Sequence, residues 1–346
     1  MTCVRFGLAG TGTGAEFVAK GFKMLSGEGV AKLSAVFGRN VKRTEDFASK
    51  YGIPLHYHNY DEMIESADLD AVAICTPHYL HHSMGIKAIE RGLHVLIDKP
   101  LAVNLKESDE LISLAEKKSV KLGVILQNRF DDYIMLVRKA VDEDLFGRLL
   151  LGVATVNWWR NEEYYSGSGW RGRWATEGGG ALINQAIHTI DLLVWIMGDV
   201  EEVWGNVDTL VHRIEVEDVA VACLKMRSKA LGVISAGTAT YPGFPTRLEF
   251  YGTDGCALFE GSSLKYFMVN KREQPVEAVQ TGLASWSRPE AVPAINHSRL
   301  IKDFAQAIIE DRNPKVDGRE GRKSLKAVMA IYESSRTGKK VLWESI

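Results

Sequence analysis

Hydrophobic and polar positions divide this chain into two rhythms. In the first part, Val4–Ala9, Leu33–Phe37, Ala71–Cys75, His94–Ile97 and Lys121–Leu126 are short apolar runs that read as buried strands. Between them lie stretches of helical period, among them Phe17–Phe22, His82–Arg91 and Asn104–Lys118. Strands that are apolar throughout and alternate with helices predict a parallel sheet wound on both sides. The period then changes to two. Leu149–Trp158, Glu202–Asp208, Asp218–Met226, Ala230–Thr240 and Thr246–Gly252 alternate, as an antiparallel sheet requires. Ser228-Lys229 and Thr253-Asp-Gly255 supply hairpin turns. The tail, Ser298–Ile309 and Gly318–Ser335, is helical again. The expected organisation is a doubly wound α/β domain over 1–125 and an α+β domain with a large, open, mainly antiparallel sheet over 126–346. No internal repeat or low-complexity segment interrupts it.

Composition changes this picture little. A length of 346 residues suits two domains. With 46% hydrophobic and 25% charged residues and a net charge of −2, nothing electrostatic argues for a nucleic-acid or anionic-membrane partner. No apolar run reaches the roughly twenty residues of a membrane span, and the strand at Val4 begins too early for a signal peptide. Cys3, Cys75, Cys223 and Cys256 are scattered among apolar neighbours, without disulfide or zinc-knuckle spacing. A reducing cytoplasm is the expected compartment.

The first chemical signal is Gly10-Thr-Gly-Thr-Gly-Ala15, placed between a strand and a helix. In this G-x-G-x-x-A pattern Gly10 permits the turn and Gly12 lets backbone approach a pyrophosphate. Small Ala15 lets helix and strand pack, and the phosphates meet the helix N-terminus. The pattern predicts a Rossmann dinucleotide site. At the end of the second strand an NAD site normally carries an acidic residue, but here the chain reads Gly38-Arg39-Asn40, followed by Lys42 and Arg43, with no carboxylate between Glu28 and Glu45. Arginine suits a 2′-phosphate. NADP is therefore expected ahead of NAD.

The second signal is Lys99 in Asp98-Lys99-Pro100, at the carboxyl end of a parallel strand, where open α/β sheets place ligands. A cation there polarises a substrate oxygen. The third is a polar stripe, Asn184, His188 and Asp191, on an otherwise apolar stretch that begins at Gly178 and runs to Trp195. At roughly 100° per residue the three fall within about 60° on one α-helical face. Buried polar groups need partners, so the stripe reads either as a structural network or as a site. Ahead of it lies an aromatic and arginine-rich run, Trp158-Trp159-Arg160, Tyr164-Tyr165 and Trp170-Arg171, through Trp174. Such a run suits a sugar ring or a phosphate, or a rim against another subunit. His56 and His58, or His78, His81 and His82, lack Cys or carboxylate companions at ligand spacing, so no metal is expected.

Together the glycine turn, Thr76-Pro77, Asp98-Lys99-Pro100 and Gly178-Gly-Gly-x-Leu-x-Asn184-x-x-x-His188-x-x-Asp191 resemble the Gfo/Idh/MocA oxidoreductases over nearly the whole chain. That family usually shows Glu-Lys-Pro where Asp98 stands here, and often Asp at the place of Asn184. The resemblance implies an NAD(P)-dependent dehydrogenase or reductase acting on a sugar or polyol, with Lys99, His188 and Asn184 at the reacting hydroxyl or carbonyl. The alternatives are an aldehyde, diol or biliverdin-type reductase, or a non-catalytic dinucleotide sensor. Expected cofactor neighbours are Gly10, Thr11, Gly12, Thr13, Gly14, Arg39, Arg43, Thr76, Pro77, His81, Asp98, Lys99, Gln127, Trp170 and Arg171. Expected substrate contacts are Lys99, Arg129, Tyr165, Asn184 and His188. Val203, Val207, Val219, Val221, Val233 and Ile234 are taken as an uncovered apolar sheet face, which implies a homodimer or homotetramer.

Overall fold

The computed structural model describes residues 3–261, 263–275 and 294–346. They fall into two compact units, one within Met1–Gln127 and Pro293–Arg322, the other within Asn128–Val292 and Lys323–Ile346.

The first unit is built on a six-stranded parallel sheet of order β3-β2-β1-β4-β5-β6. Its strands are β1 (Val4–Ala9), β2 (Ala31–Phe37), β3 (Leu55–Tyr57), β4 (Ala71–Ile74), β5 (His94–Asp98) and β6 (Leu122–Ile125). The helices between them are α1 (Thr13–Met24), α2 (Val41–Tyr51), α3 (Tyr60–Ser66), α4 (His81–Glu90) and α5 (Leu105–Lys118). β4 and the middle of β5 are buried on both faces, which explains their continuous apolar sequence. Sequence pattern missed β3, three residues long and exposed at the sheet edge.

The second unit carries a nine-stranded sheet of order β14-β13-β12-β11-β7-β10-β9-β8-β15. Its strands are β7 (Leu149–Asn157), β8 (Val200–Asp208), β9 (Val219–Met226), β10 (Leu231–Gly237), β11 (Arg247–Gly252), β12 (Cys256–Glu260), β13 (Ser263–Val269), β14 (Arg272–Glu273) and β15 (Val341–Leu342). All neighbours are antiparallel except β7 and β10, which run parallel. Helices α6 (Asp132–Asp142), α7 (Glu162–Ser166), α8 (Trp174–Glu177) and α9 (Ile187–Met197) belong to this unit. The stretch Trp174–Met197 is long and apolar enough to cross a membrane by length and composition, unlike the sequence expectation, but 83% of its most apolar window is buried inside the fold.

Two expectations about the second half need correction. The region beyond residue 126 is not one unit: α10 (Ile295–Ile309) returns to the first, where Phe304 packs on Phe6 and Ile301 on Gly21. The apolar face of α10, with Leu300, Ile301, Phe304 and Ala305 buried, is the physical reason. The expected apolar sheet face also mixes residues from both sides of the sheet. Strand register pairs Val203 with Leu224, Val207 with Ala220 and Ile234 with Ala222, on the inward side. Val221, Val233 and Trp204 share the other face. The last helix is α11 (Gly318–Thr337).

Candidate active site

In the first unit β1 runs into the glycine turn and α1 leaves it. Gly10 takes φ +117°, and a side chain there would lie 2.4 Å from the Cys75 carbonyl oxygen. Gly12 caps α1 without a side-chain hydrogen bond, and nothing lies within 4 Å of the place its Cβ would occupy. The N-terminus of α1 thus begins at a residue with open space where a side chain would stand, which suits the close approach of a pyrophosphate. A Cβ on Gly14 would come 2.7 Å from Asp98 Oδ2, so the end of β5 abuts the same loop. Asp98 accepts a 2.9 Å hydrogen bond from its neighbour's amide, Lys99 N. Burial raises the Asp98 pKa, against the opposing pull of Lys99 and His81.

Two buried polar atoms complete this cradle. Thr76 Oγ1 and Gln127 Oε1 have no hydrogen-bond partner among the described residues, the state expected of atoms that wait for a ligand. These features fit a dinucleotide along Gly10–Gly14, Thr76 and Gln127. At the far end of β2, Arg39 is exposed. Arg43 instead bonds the Thr11 carbonyl oxygen through Nε and Nη2, at 3.1 and 2.8 Å, tying α2 to the glycine turn. His81 is fully buried. Its Nδ1 lies 2.8 Å from Pro100 O and its Nε2 2.9 Å from Thr76 O, so it braces the two turns that carry Lys99 and Thr76. Burial lowers its pKa, opposed by Asp98 and the two carbonyl acceptors.

In the second unit the polar stripe does not lie on a continuous α-helix. Ala181–Ala186 forms a π-turn, and the α-helix starts only at Ile187. The wider i→i+5 turn changes which side chains share a face. Asp191 turns to Arg129, which meets it through Nε and Nη2 at 2.8 and 2.7 Å in a pair 1% and 4% exposed. The Arg129 guanidinium also lies over the Trp195 ring at 5.1 Å. Asn184 donates from Nδ2 to Glu177 Oε1 at 2.5 Å and lies 3.4 Å from the Tyr164 hydroxyl. Gln185 Nε2 donates to that hydroxyl at 2.8 Å. His188 is half-buried and lines a small cleft with Asn128, Trp158, Gln185, Thr189, Leu192, Thr246 and Leu248.

Comparison with known proteins finds family matches in both parts of the chain. Residues 4–126 match the oxidoreductase family with an NAD-binding Rossmann fold, and residues 134–258 match the GFO/IDH/MocA C-terminal domain. The chain belongs to the Gfo/Idh/MocA oxidoreductase family. Among relatives, myo-inositol 2-dehydrogenase of Thermotoga maritima is 26% identical over 99% of both chains. The NADP(+)-dependent scyllo-inositol 2-dehydrogenase IolW of Bacillus subtilis is 23% identical over 87% of each. The WlbA dehydrogenase of Bordetella pertussis, solved with NADH and UDP-GlcNAcA, is 29% identical and superposes with a TM-score of 0.87 over 98% of this chain and 97% of that one.

Within this Gfo/Idh/MocA oxidoreductase, two expected substrate contacts are occupied elsewhere. Arg129 is committed to Asp191, and Tyr165 is buried with its hydroxyl 2.7 Å from Thr238 Oγ1 and its ring 5.0 Å from that of His212. Its neighbour Tyr164 is the tyrosine that meets Asn184 and Gln185. Arg171 stacks over Tyr164 at 4.4 Å and over Trp170 at 4.9 Å.

Three residues escaped the sequence reading. Glu177, just ahead of the glycines, takes Gly172 N on one oxygen and Asn184 on the other. Glu217 accepts from Gly180 N and Leu182 N at 2.8 Å and from the Tyr332 hydroxyl at 2.9 Å, fixing the backbone that enters the π-turn. An acidic residue beside a Gly-Gly-Gly run and another at the mouth of an apolar strand were the available signals. Glu45 was the third: α2 brings it to His56 and His58, with their ligand atoms within 4.8 Å of one another. Sequence spacing had left those exposed histidines without a carboxylate.

Proposed function

We propose that this oxidoreductase exchanges hydride between NADP and a hydroxyl or carbonyl carbon of a sugar, polyol or sugar derivative, with Lys99 and His188 acting on the reacting oxygen. The observation that supports the reading is the close approach of Asp98, the chain neighbour of Lys99 at the end of β5, to Gly14 in the glycine turn. When bound, the nicotinamide supplies hydride exchange. Lys99 polarises the substrate oxygen with its ammonium, and His188 holds or takes the hydroxyl proton. Asn184, held by Glu177, is a neutral hydrogen-bonding orienter. The names of the relatives, two inositol dehydrogenases and a dehydrogenase solved with a nucleotide sugar, support the substrate class.

Arg39 at the end of β2, with no acidic residue there, supports NADP, as does the cofactor named for IolW; the NADH in the WlbA structure points the other way. Titration of the protein with both cofactors decides it. NADP is expected to bind more tightly and Arg39→Asp to shift the preference towards NAD, whereas tighter NAD binding by the unaltered chain overturns the assignment. A screen of NADP and NAD reduction across sugars, inositols and sugar nucleotides tests the reaction class itself.

The same reading includes a homo-oligomer formed through the outer sheet face, supported by Trp204, Val221, Leu231 and Val233, which are 48%, 48%, 55% and 38% exposed. It also keeps the reducing cytoplasm, with which the free Cys3, Cys75, Cys223 and Cys256 are compatible.

A further inference from the structure

Two imidazoles and a carboxylate that the hydride-transfer reading does not use meet at the edge of the six-stranded sheet. His56 lies in β3, the edge strand, and His58 follows just past its end. Two residues apart on an extended chain, their side chains share one side. Their ring centroids are 5.8 Å apart at 54°. Glu45 reaches them from α2, the helix that precedes β3 in the chain. One ligand atom from each of the three groups lies within 4.8 Å of the others, and all three residues are exposed.

Each donor stands on fixed backbone. β3 is held in register on β2, with His56 opposite Val36. α2 is capped by Asn40, whose side chain accepts from Arg43 N at 2.9 Å, and its residues Thr44, Phe47 and Ala48 are buried. After His58, the Asn59 side chain caps α3 by accepting from Asp61 N at 2.9 Å. One further contact prepares a ligand: His58 Nδ1 lies 3.3 Å from the Gly38 carbonyl oxygen. A carbonyl only accepts, so Nδ1 carries the proton and Nε2 keeps its lone pair. Metal-bound histidines characteristically donate their other ring N–H to such an oxygen, which fixes tautomer and orientation. Lys42, on the same helix as Glu45, gives its ammonium to Asp46 at 2.8 Å.

We propose that Glu45, His56 and His58 bind a divalent transition-metal cation of the zinc class, which ties the short edge strand β3 to α2. Two imidazole nitrogens and one carboxylate oxygen suit Zn²⁺ and its neighbours in the first transition row, and they do not suit Mg²⁺ or Ca²⁺, which take oxygen ligands. Bonds of about 2.0–2.1 Å in a tetrahedron set donor atoms roughly 3.3 Å apart, so the three groups need to close by about 1.5 Å at most. Rotation of exposed side chains between staggered torsions supplies that movement. Water completes the coordination. Neither the glycine turn nor Lys99 or His188 enters this site, so it stands apart from the hydride-transfer reading.

Protein stripped with a chelator and desalted is titrated with ZnCl₂ by calorimetry and with CoCl₂ by visible absorption. Wild type is compared with His56→Ala, His58→Ala and Glu45→Gln, and with two controls, Cys223→Ser at an exposed thiol and His82→Ala, whose imidazole meets Glu110 at 2.8 Å elsewhere in the first unit. Circular dichroism checks the fold of each. Wild type should bind one equivalent of Zn²⁺, undiminished by a large excess of Mg²⁺. Each of the three site variants should weaken binding by more than the roughly tenfold that loss of an outer-shell partner costs, and both controls should bind as wild type does. Zn²⁺ should raise the unfolding temperature of wild type and not that of His58→Ala, because only a cation bound to the folded state stabilises it. Failure of wild type to bind Zn²⁺ overturns the proposal, as does unchanged affinity in any of the three site variants. A thiolate-to-cobalt charge-transfer band, or loss of binding in either control, also overturns it and places the cation on other groups.

Discussion

Glu217 is a buried carboxyl group with three donors around it. Burial still prevails and pushes its pKa up to about 7, above the ordinary 4.5. A carboxyl whose pKa is raised on folding stabilises the protein fully below its unfolded pKa, and that contribution is lost as pH rises through the folded value. From about pH 4.5 to 7, wild type should therefore lose on the order of 3 kcal/mol relative to Glu217→Gln. Urea unfolding of both proteins at pH 5 and pH 7.5 checks this, and an identical pH dependence in the two would contradict it. Glu217 and Glu177 were illegible in the sequence because their partners are backbone amides and Asn184, fixed by a turn that residue spacing does not announce. The glycine turn was legible, because Gly10, Gly12 and Ala15 are required by local geometry alone. The tandem Tyr164-Tyr165 shows the limit between these cases: sequence marks an aromatic pair, and only the fold of α7 decides that Tyr164 meets Asn184 while Tyr165 meets Thr238.

At the scale of elements, the strands of the first unit and β7 to β11 follow directly from their apolar patterns. The helix that bears Asn184 and His188 does not. Its apolar sequence predicts burial correctly, but a π-turn and an α-turn bury similar side chains, so hydropathy cannot tell them apart. The Arg129–Asp191 pair joins α9 to the short turn at Gln127–Phe130. Breaking a buried pair by removing one partner leaves an uncompensated charge and costs about 3–5 kcal/mol. Arg129→Ala should lose that much stability in urea unfolding, and Arg129→Met with Asp191→Leu considerably less. A loss below about 1 kcal/mol in Arg129→Ala would show that the pair does not anchor α9.

At the scale of the whole molecule, the outer face of the nine-stranded sheet collects Trp204, Val221, Leu231 and Val233, and Tyr251 joins them through the register of β11, β7 and β10. An apolar face of this kind implies association. Light scattering at micromolar concentration should report a dimer or tetramer, and Val221→Asp with Val233→Asp should shift it towards monomer; a monomeric wild type would contradict the proposal. The fold class and the family were legible in the sequence, whereas the return of α10 to the first unit was not, because helical period does not say which sheet a helix will cover. The most direct measurement is turnover by Lys99→Ala and His188→Ala with a confirmed substrate, alongside cofactor binding. Removing a positioned acid, base or polarising cation typically costs 10²- to 10⁴-fold in rate, while the dinucleotide depends mainly on the glycine turn. Both variants should lose kcat by about that factor and keep the dissociation constant for NADP within a few fold; near-normal turnover in either folded variant would contradict its place in the chemistry.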